Sequence, residues 1–229
     1  MTPEEIVRRG YDAAAERYAS ARDLDNLLYL PRFSSLLPPP AAVLDVGCGS
    51  GRPIDAWLVA RGYDLTGIDL SSRQIELAQQ HVPDARYEVR DMLDLAPGEY
   101  RVDGLVSFYA IFHTPRGRHA ELLQTLRSFL PSGGPLLITM GASRWEGTEP
   151  DFFGVQMYWS HFDSATNRPW SRRPGSPLGS TRSRKPCPVS GIRSSWPARA
   201  EIGGPGSHTC SMIQPKIRRT WLSTSDRGQ

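Results

Sequence analysis

Lysine and cysteine are scarce in this chain of 229 residues, and long hydrophobic runs are missing. Lys185 and Lys216 are the only lysines, so the Tyr-x-x-x-Lys pair of short-chain nicotinamide-dependent reductases cannot occur in most of the chain. Cys48, Cys187 and Cys210 are the only cysteines, and their spacing matches neither a metal-binding pair nor a disulfide framework. The scarcity of lysine therefore disfavours a reductase of that type, and the spacing of the cysteines gives no indication of a bound metal.

The hydropathy pattern also excludes a membrane protein of the helical kind. No segment approaches the roughly 20 consecutive apolar residues that a membrane-spanning helix requires. The first residues lack the apolar stretch that marks a secretory signal peptide. We therefore expect a cytoplasmic protein without a membrane partner, and the chain is long enough for one domain with a sizeable hydrophobic core.

Residues 43–51 form the most informative segment and read Val-Leu-Asp-Val-Gly-Cys-Gly-Ser-Gly. The apolar run predicts a buried strand, and the glycines at alternate positions predict a loop that contacts a cofactor. Because glycine has no Cβ, the backbone of such a loop can adopt positive φ and lie flat against a ligand. The identity of that ligand then becomes the main question.

A second apolar run ends at Asp69, 18 residues after Gly51. A carboxylate at this position can accept hydrogen bonds from both hydroxyls of a ribose. The spacing alone fits either a dinucleotide or an adenosine-bearing methyl donor. The loop, however, reads G-x-G-x-G rather than the G-x-G-x-x-G of pyrophosphate-binding loops. Asp45, just before the loop, would repel a pyrophosphate and suit an ammonium group.

With this loop and these acids, the chain resembles the class I S-adenosylmethionine-dependent methyltransferases over roughly residues 8–163. Further motifs of that family recur in order: an acid-containing segment at 87–92, an apolar strand at 103–108, a helix at 118–129 and a Pro-x-Gly-Gly turn before an apolar run at 135–139. The resemblance implies S-adenosylmethionine as the cofactor. It also implies a doubly wound, mainly parallel Rossmann-like α/β fold, and the alternation of predicted helices and strands favours the same architecture.

The resemblance further implies a set of cofactor-binding residues. In the family an acid after the second strand binds the ribose, which Asp69 matches, and a later aspartate accepts the adenine amine, which Asp91 matches. The predicted set is Asp45, Gly47, Cys48, Gly49, Gly51, Asp69, Leu70, Asp91, Met92 and Phe108. Since ligands of such sheets bind at the carboxyl ends of the strands, we expect these residues to converge.

Two histidines are candidates for catalysis. Methyl transfer by in-line displacement needs chiefly the alignment of donor and acceptor, but an oxygen or nitrogen acceptor must also lose its proton. Histidine, with an ordinary pKa of about 6.5, is a suitable base. His113 follows the fourth predicted strand and His161 lies in the segment 157–163, so we hypothesise that one of them assists deprotonation.

Residues 1–40 are predicted to form a helical leader. Thr2 and Glu5 have the spacing of a capping box before a helix that is expected to run from residue 3 to about residue 22. Tyr11 and Tyr18 lie near one face of this helix. The sequence leaves open whether their side chains pack against the protein or contact a ligand. In the family that the chain resembles, such a helix often covers the cofactor.

The composition changes abruptly after residue 163. Residues 1–163 carry 15 basic and 22 acidic side chains, a net charge of −7, whereas residues 164–229 carry 12 and 2, a net charge of +10. The second segment is rich in Ser, Pro, Arg, Gly and Trp and shows no hydrophobic periodicity. One interpretation is a basic arm that binds nucleic acid.

We favour a second interpretation, in which residues 164–229 are a frameshifted tail. The family continues here with a helix, an Ala-Gly-Phe turn and two closing strands, which this sequence lacks. If the reading frame slipped near Arg168, the codons of residues 169–179 would permit Ala-Leu-Val-Ala-Ala-Pro-Gly-Phe-Ala-Leu-Gly, which resembles the missing helix and turn. Missing or aberrant C-terminal strands would leave the fifth strand with an unpaired edge.

The sequence thus predicts an enzyme with three segments: a helical leader at 1–40, a methyltransferase domain at 41–163 and an irregular basic tail at 164–229. By resemblance, it transfers a methyl group from S-adenosylmethionine to a small-molecule acceptor, and nucleic acid is disfavoured as a partner. The alternatives are an inactive relic of such an enzyme and a nucleic-acid-binding protein that uses the tail. The acceptor atom and the oligomeric state stay open.

Overall fold

A mainly parallel β-sheet forms the centre of the computed structural model, which describes residues 1–21, 24–167 and 217–222. Along these described residues the strands are β1 (Ala42–Val46), β2 (Asp64–Asp69), β3 (Arg86–Val89), β4 (Gly104–Ser107), β5 (Leu136–Gly141), β6 (Trp145–Phe152), β7 (Val155–His161) and β8 (Ile217–Leu222). Six of these described strands form the central sheet in the order β3-β2-β1-β4-β5-β8. β6 and β7 form a separate antiparallel hairpin.

The order of the strands reverses direction at β1, as in a doubly wound α/β fold. β1 pairs in parallel with β2 on one side and with β4 on the other, and the sheet continues in parallel to β3 and β5. This reversal leaves a crevice at the carboxyl ends of the strands, where open α/β sheets bind their ligands. The predicted fold class is confirmed.

Helices connect the strands and cover the sheet. Those of the described residues are α1 (Pro3–Ala21), α2 (Leu30–Leu36), α3 (Ile54–Val59), α4 (Ser72–His81), α5 (His119–Ser128) and α6 (Ser164–Asn167). The predicted capping box at the start of α1 is present, since Glu5 N–H donates to Thr2 Oγ1 at 3.2 Å and Thr2 N–H donates to the Glu5 carboxylate at 3.0 Å. None of the helices in the described part of the chain is both long and apolar enough to cross a membrane.

Apolar side chains cover both faces of the sheet at β1, β4 and β5, which explains why these strands read as nearly continuous apolar runs. Successive residues of β1 point to opposite faces. The cluster on one face joins the sheet to α5 and includes Leu44, Val46, Leu105, Leu122, Leu126 and Phe129. The cluster on the other face joins it to α2 and α3 and includes Phe33, Val43, Ile54, Leu58, Leu65 and Val106.

α1 packs closely against the hairpin of β6 and β7. Gly10 lies in the interior of α1, where glycine costs about 0.5–1 kcal/mol relative to alanine. A Cβ at Gly10 would lie 2.8 Å from Met157 Cε and 2.9 Å from the Gln156 carbonyl oxygen, so glycine lets the helix approach β7. Arg17 adds a hydrogen bond, because its Nε donates to the Phe153 carbonyl oxygen at 2.9 Å. The hairpin thus fixes the position of α1.

β8 covers the outer edge of β5. The two strands pair antiparallel from Leu136 opposite Leu222 to Gly141 opposite Ile217. The expectation of an unpaired edge on the fifth strand is therefore wrong, because this pairing satisfies backbone groups that an exposed edge would leave to water. Residues 168–216, on which the frameshift hypothesis rests, lie outside the described residues, and that hypothesis stays a prediction.

Candidate functional site

A cleft of about 660 Å³, which includes space open to solvent, lies between α1 and the carboxyl ends of the strands around β1. Its described lining residues are Glu4, Val7, Arg8, Tyr11, Tyr18, Gly47, Gly49, Asp69, Leu70, Ser71, Gln74, Asp91, Met92, Phe108, Tyr109, Ala110, His113 and Thr114. We name two parts of it: the loop end (Gly47, Gly49, Asp69, Asp91) and the aromatic end (Tyr11, Tyr18, Tyr109, His113).

The glycine loop at the loop end is tied to β2 by its own backbone. The N–H groups of Gly47 and Cys48 both donate to the Ile68 carbonyl oxygen, at 2.8 and 3.0 Å. Gly47 has a φ of +77°, which residues with a side chain rarely adopt, and a Cβ there would overlap the Cβ of Ala110. Both the backbone conformation and the close approach of the segment after β4 therefore require glycine at this position.

Two backbone N–H groups fix the carboxylate of Asp69 at the end of β2. Gly49 N–H donates to Oδ2 and Ser71 N–H donates to Oδ1, each at 2.9 Å. A carboxylate oxygen can accept more than one hydrogen bond, so these contacts orient Asp69 without exhausting its capacity to bind hydroxyl groups.

A chain of hydrogen bonds connects Asp69 to α1 through Ser71. The Ser71 hydroxyl donates to Asp12 Oδ1 at 2.6 Å and accepts from Gln74 N–H at 3.1 Å, which caps α4. Arg73 N–H donates to the same Asp12 oxygen at 3.3 Å. The charge of Asp12 therefore lies at the amino end of α4, where the helix dipole favours an anion.

Asp91 follows β3 at the loop end. Its Oδ1 accepts from Leu93 N–H at 2.8 Å, and a short 3₁₀ turn, Met92–Asp94, begins there. Burial raises the pKa of Asp91 above its usual value, although the Leu93 hydrogen bond acts in the opposite direction. A partly buried carboxylate of this kind is stabilised when an N–H donor reaches it.

Asp45, Cys48 and Gly51 are not among the described residues that line the cleft, although all three were predicted to bind the cofactor. Asp45 and Cys48 are each 2% exposed and lie near Tyr87, whose hydroxyl donates to Asp55 at 3.0 Å. A Cβ at Gly51 would lie 2.9 Å from that hydroxyl. Burial and the neighbouring carboxylates raise the pKa of Tyr87. Asp45 and Cys48 are thus buried beside Tyr87, and cofactor contact at these three positions stays a prediction.

The aromatic end begins with a strained turn after β4. Tyr109 has a φ of +59°, which is uncommon for a residue with a side chain. Its N–H donates to Thr139 Oγ1 at 2.6 Å, which helps to hold this conformation. Strained backbone of this kind often occurs at functional sites. Phe108 and Tyr109 both line the cleft as a result of this turn.

His113 is buried at the aromatic end, and both of its ring nitrogens are hydrogen-bonded. Nδ1 lies 2.8 Å from the Tyr158 carbonyl oxygen, and Nε2 lies 2.8 Å from the Tyr11 hydroxyl. Because a carbonyl only accepts, these partners assign the proton to Nδ1, and Nε2 accepts the Tyr11 proton. Burial lowers the pKa of His113 to about 4, so its ring is neutral at pH 7.

His161, the second candidate base, does not belong to the described lining of the cleft. Its Nδ1 donates to the Ser143 carbonyl oxygen at 2.5 Å. Its ring packs so closely on β5 that a Cβ at Gly141 would overlap it. These contacts indicate a packing role for His161, and His113 is the histidine that the structure brings to the cleft.

Aromatic rings from three elements surround His113. The ring centroid of Tyr11 lies 5.3 Å from that of His113 and 5.2 Å from that of Tyr18, and both pairs are edge to face. Trp159 of β7 lies 4.3 Å from His113, and Phe152 of β6 lies 5.9 Å from Tyr11. Such ring pairs stabilise a rigid apolar wall. Tyr11 and Tyr18 thus pack within this wall and line the cleft at the same time.

Most of the predicted site residues meet in the cleft. They are Gly47, Gly49, Asp69, Leu70, Asp91, Met92, Phe108 and His113. The face of α1 that lines it was predicted only in part, although its residues at 4, 7, 8, 11 and 18 follow helical spacing. Asp12, Tyr87 and Asp55 were not predicted, because their partners lie far away along the chain.

Known proteins resemble this chain in sequence. Residues 43–134 match the family model described as a methyltransferase domain. The trans-aconitate 2-methyltransferase of Delftia acidovorans is 33% identical over 144 residues, which cover 55% of this chain and 52% of that protein. The chain spans about half the length of the curated relatives it matches.

Solved structures share the fold. A 1,6-didemethyltoxoflavin-N1-methyltransferase of Burkholderia thailandensis, with bound 1,6-didemethyltoxoflavin and S-adenosylhomocysteine, is 20% identical, and the match covers 75% of this chain and 80% of that one with a TM-score of 0.56. A SAM-dependent methyltransferase of Methanosarcina mazei is also 20% identical, with coverage of 62% and 82% and a TM-score of 0.53. Both likenesses support the Rossmann-like architecture.

Proposed function

We propose, from the premise that residues 43–134 form a methyltransferase domain, that this chain transfers a methyl group from S-adenosylmethionine to a small-molecule acceptor. The observation that carries the proposal is the loop end of the cleft. There a glycine loop and two carboxylates follow β1, β2 and β3 in the order expected of a site for an adenosine-bearing donor. The methyltransferase relatives support the same reaction class.

The residues at the loop end fit this donor chemically. Asp69, which two backbone N–H groups hold in place, would accept hydrogen bonds from both ribose hydroxyls. Asp91 would accept the adenine amine, with Met92 beside the ring. The loop at Gly47 and Gly49 lies against the cleft without side chains, so its backbone can approach the amino acid part of the donor.

The donor supplies a methyl group on a positively charged sulfur, which is already activated for transfer. The chain then has to align the acceptor, exclude water and receive a proton. Alignment of two reactants in one cleft can lower the barrier by roughly 7–11 kcal/mol. Leu70 and Phe108 add apolar surface at the cleft, which helps to exclude water. Nε2 of neutral His113 can take up a proton at the aromatic end.

We propose that residues 1–40 serve as a lid on the domain at 41–163. α1 lines the cleft with Glu4, Val7, Arg8, Tyr11 and Tyr18. The hydrogen bond between Ser71 and Asp12 ties this helix to the loop end. No observation in the described residues favours the inactive relic or the nucleic-acid-binding alternative.

Calorimetric titration of S-adenosylmethionine into the full chain tests the proposed function. We expect micromolar binding and a loss of at least about 10-fold in Asp69→Asn, because that change removes a charged hydrogen-bond acceptor. Asp64→Asn is the matched control, since Asp64 lies at the other end of β2 with a side chain that is 61% exposed. Absence of binding to the folded chain, or an equal loss in both variants, would contradict the proposal.

A further inference from the structure

We propose that Tyr11 accepts the proton of the methyl acceptor, and that this acceptor is a phenol rather than a carboxylate. The inference rests on the proposed function and concerns the aromatic end of the cleft. It makes Tyr11 a catalytic residue, and it makes His113 the positioning residue that acts through Tyr11.

The hydrogen bonds of His113 determine whether the Tyr11 hydroxyl can donate or accept in the cleft. The Tyr158 carbonyl oxygen fixes the proton of His113 on Nδ1, so Nε2 has a lone pair and takes the hydroxyl proton of Tyr11 at 2.8 Å. A phenolic hydroxyl has one proton to donate, and that of Tyr11 is committed to His113. Any hydrogen bond between the Tyr11 oxygen and a molecule in the cleft is therefore one that Tyr11 accepts. Such a group is complementary to an O–H donor and not to a carboxylate.

The charges of the cleft point in the same direction. Among the described lining residues, Arg8 is the one cation, against the carboxylates of Glu4, Asp69 and Asp91. A carboxylate acceptor would therefore have Arg8 as its one cationic partner in the described lining, whereas a neutral hydroxyl compound needs none.

The rings at the aromatic end favour a flat, aromatic acceptor. Tyr18 and Tyr109 line the cleft beside Tyr11, and Trp159 and Phe152 pack behind them. A planar ring can form stacked or edge-to-face contacts with such a wall. A phenol combines this ring with the O–H donor that Tyr11 requires.

The proton balance of the step is complete. The O–H bond of the phenol breaks and its oxygen forms a bond to the methyl carbon, while the carbon–sulfur bond breaks and leaves a neutral thioether. The phenol proton passes to the Tyr11 oxygen as the Tyr11 proton passes to His113 Nε2. The positive charge thus moves from sulfur to the imidazole ring, whose Nδ1–H remains bonded to the Tyr158 carbonyl. Because the phenol becomes far more acidic as its oxygen is alkylated, a weak base is sufficient.

Ligand binding provides the first test. The full chain is saturated with S-adenosylhomocysteine and titrated with phenol and with benzoate, which have the same ring and differ in the polar group. We expect phenol to bind at least about 10-fold more tightly than benzoate, and Tyr11→Phe to remove most of this preference. Tyr100→Phe is the matched control, because its hydroxyl bonds Glu88 outside the cleft and its loss should change neither affinity.

Methyl transfer to phenols of different acidity provides the second test. Near pH 8, phenol keeps its proton, with a pKa of about 10 as in tyrosine, whereas 4-nitrophenol is largely ionised. We expect Tyr11→Phe to lower kcat for phenol by about 100-fold or more, and kcat for 4-nitrophenol by less than about 10-fold. His113→Gln should lower kcat for phenol with little change in KM, because an amide oxygen can hold Tyr11 but cannot take up its proton.

The outcomes separate this inference from the proposed function. Failure of S-adenosylhomocysteine to bind would contradict the proposed function itself. Binding of S-adenosylhomocysteine with no binding or methylation of phenol, or with preferred binding of benzoate, would overturn the phenol inference alone. Equal losses for phenol and 4-nitrophenol in Tyr11→Phe, or a matching loss of S-adenosylhomocysteine affinity, would overturn the role of Tyr11 in proton transfer.

Discussion

The loop end and the aromatic end of the cleft are built in different ways. At the loop end, backbone groups do most of the positioning: the N–H groups of Gly49 and Ser71 hold Asp69, and the Ile68 carbonyl holds the glycine loop. At the aromatic end, side chains position one another across long stretches of sequence. Tyr11 and His113 form one hydrogen bond although they are 102 residues apart.

The difference has a consequence for specificity. A site made from backbone groups at strand ends depends little on the side chains around it, so it suits a ligand that many relatives share. A site made from packed rings changes shape whenever one ring is replaced. We therefore expect the loop end to determine the methyl donor and the aromatic end to determine the methyl acceptor.

Gly47→Ala should have the largest effect on stability, because it disrupts the glycine loop at the loop end. The change forces a side chain into a positive-φ conformation, which costs about 1–2 kcal/mol. It also drives a Cβ into that of Ala110, and overpacking of this kind costs about 1–3 kcal/mol. We expect a total loss of about 2–5 kcal/mol in the free energy of unfolding, together with loss of S-adenosylhomocysteine binding.

Gly98→Ala is the control for Gly47→Ala. Gly98 has a φ of +76°, almost the same as Gly47, but a Cβ there would meet no described atom within 4 Å. It should therefore show the conformational cost of about 1–2 kcal/mol without the overlap. Urea unfolding of both variants measures the difference, and equal destabilisation would show that the contact with Ala110 adds nothing.

The same contrast explains what the sequence could predict. Gly47, Asp69 and Asp91 could be recognised from the local sequence, because each stands at or just after the end of a predicted strand. Their convergence follows from the parallel topology, which the alternation of helices and strands indicates. The loop end was therefore largely predictable without knowledge of tertiary contacts.

Other features depend on contacts that no local pattern reveals. Spacing could not separate His113 from His161, because the choice depends on how β7 packs against β5. Asp45 was predicted to bind the cofactor, and its burial beside Tyr87 depends on contacts between separate segments of the chain. β8 was not predicted, since Ile-Arg-Arg-Thr-Trp-Leu lacks the strict alternation of a half-buried strand.

The pH dependence of stability tests whether His113 is buried as a neutral ring at the aromatic end. Burial lowers the pKa of His113 from 6.5 to about 4, and the electrostatic interaction with His161 acts in the same direction. The unfolded chain therefore binds more protons between these two values, so the free energy of unfolding falls as the pH falls from about 6.5 to about 4. The expected loss is about 3 kcal/mol and levels off below about pH 4.

Urea unfolding of the wild type and His113→Gln across this pH range measures that contribution. The variant should lose most of the slope. A smaller slope should remain, because burial also lowers the pKa of His119. Identical slopes in both proteins would mean that His113 is not buried as a neutral ring, and the assigned hydrogen bond from Tyr11 would then lose its support.

Ser71→Ala should produce the smallest effect, and it probes the link between α1 and the loop end. The variant loses the N-cap bond to Gln74 N–H and the bond to Asp12, while the backbone N–H that holds Asp69 remains. Loss of such a cap costs about 1 kcal/mol, and Asp12 keeps its bond from Arg73 N–H. We expect destabilisation of about this size in urea, with S-adenosylhomocysteine affinity changed by less than about 3-fold.

Ser35→Ala is the control for Ser71→Ala, because the Ser35 hydroxyl bonds the Arg32 carbonyl on the exposed side of α2. A large loss of affinity in Ser71→Ala with little destabilisation would contradict the division between the two ends. It would mean that the side-chain bond to Asp12, and not the backbone alone, holds Asp69 in place. The loop end would then also depend on a side-chain contact between distant segments, since Ser71 and Asp12 are 59 residues apart.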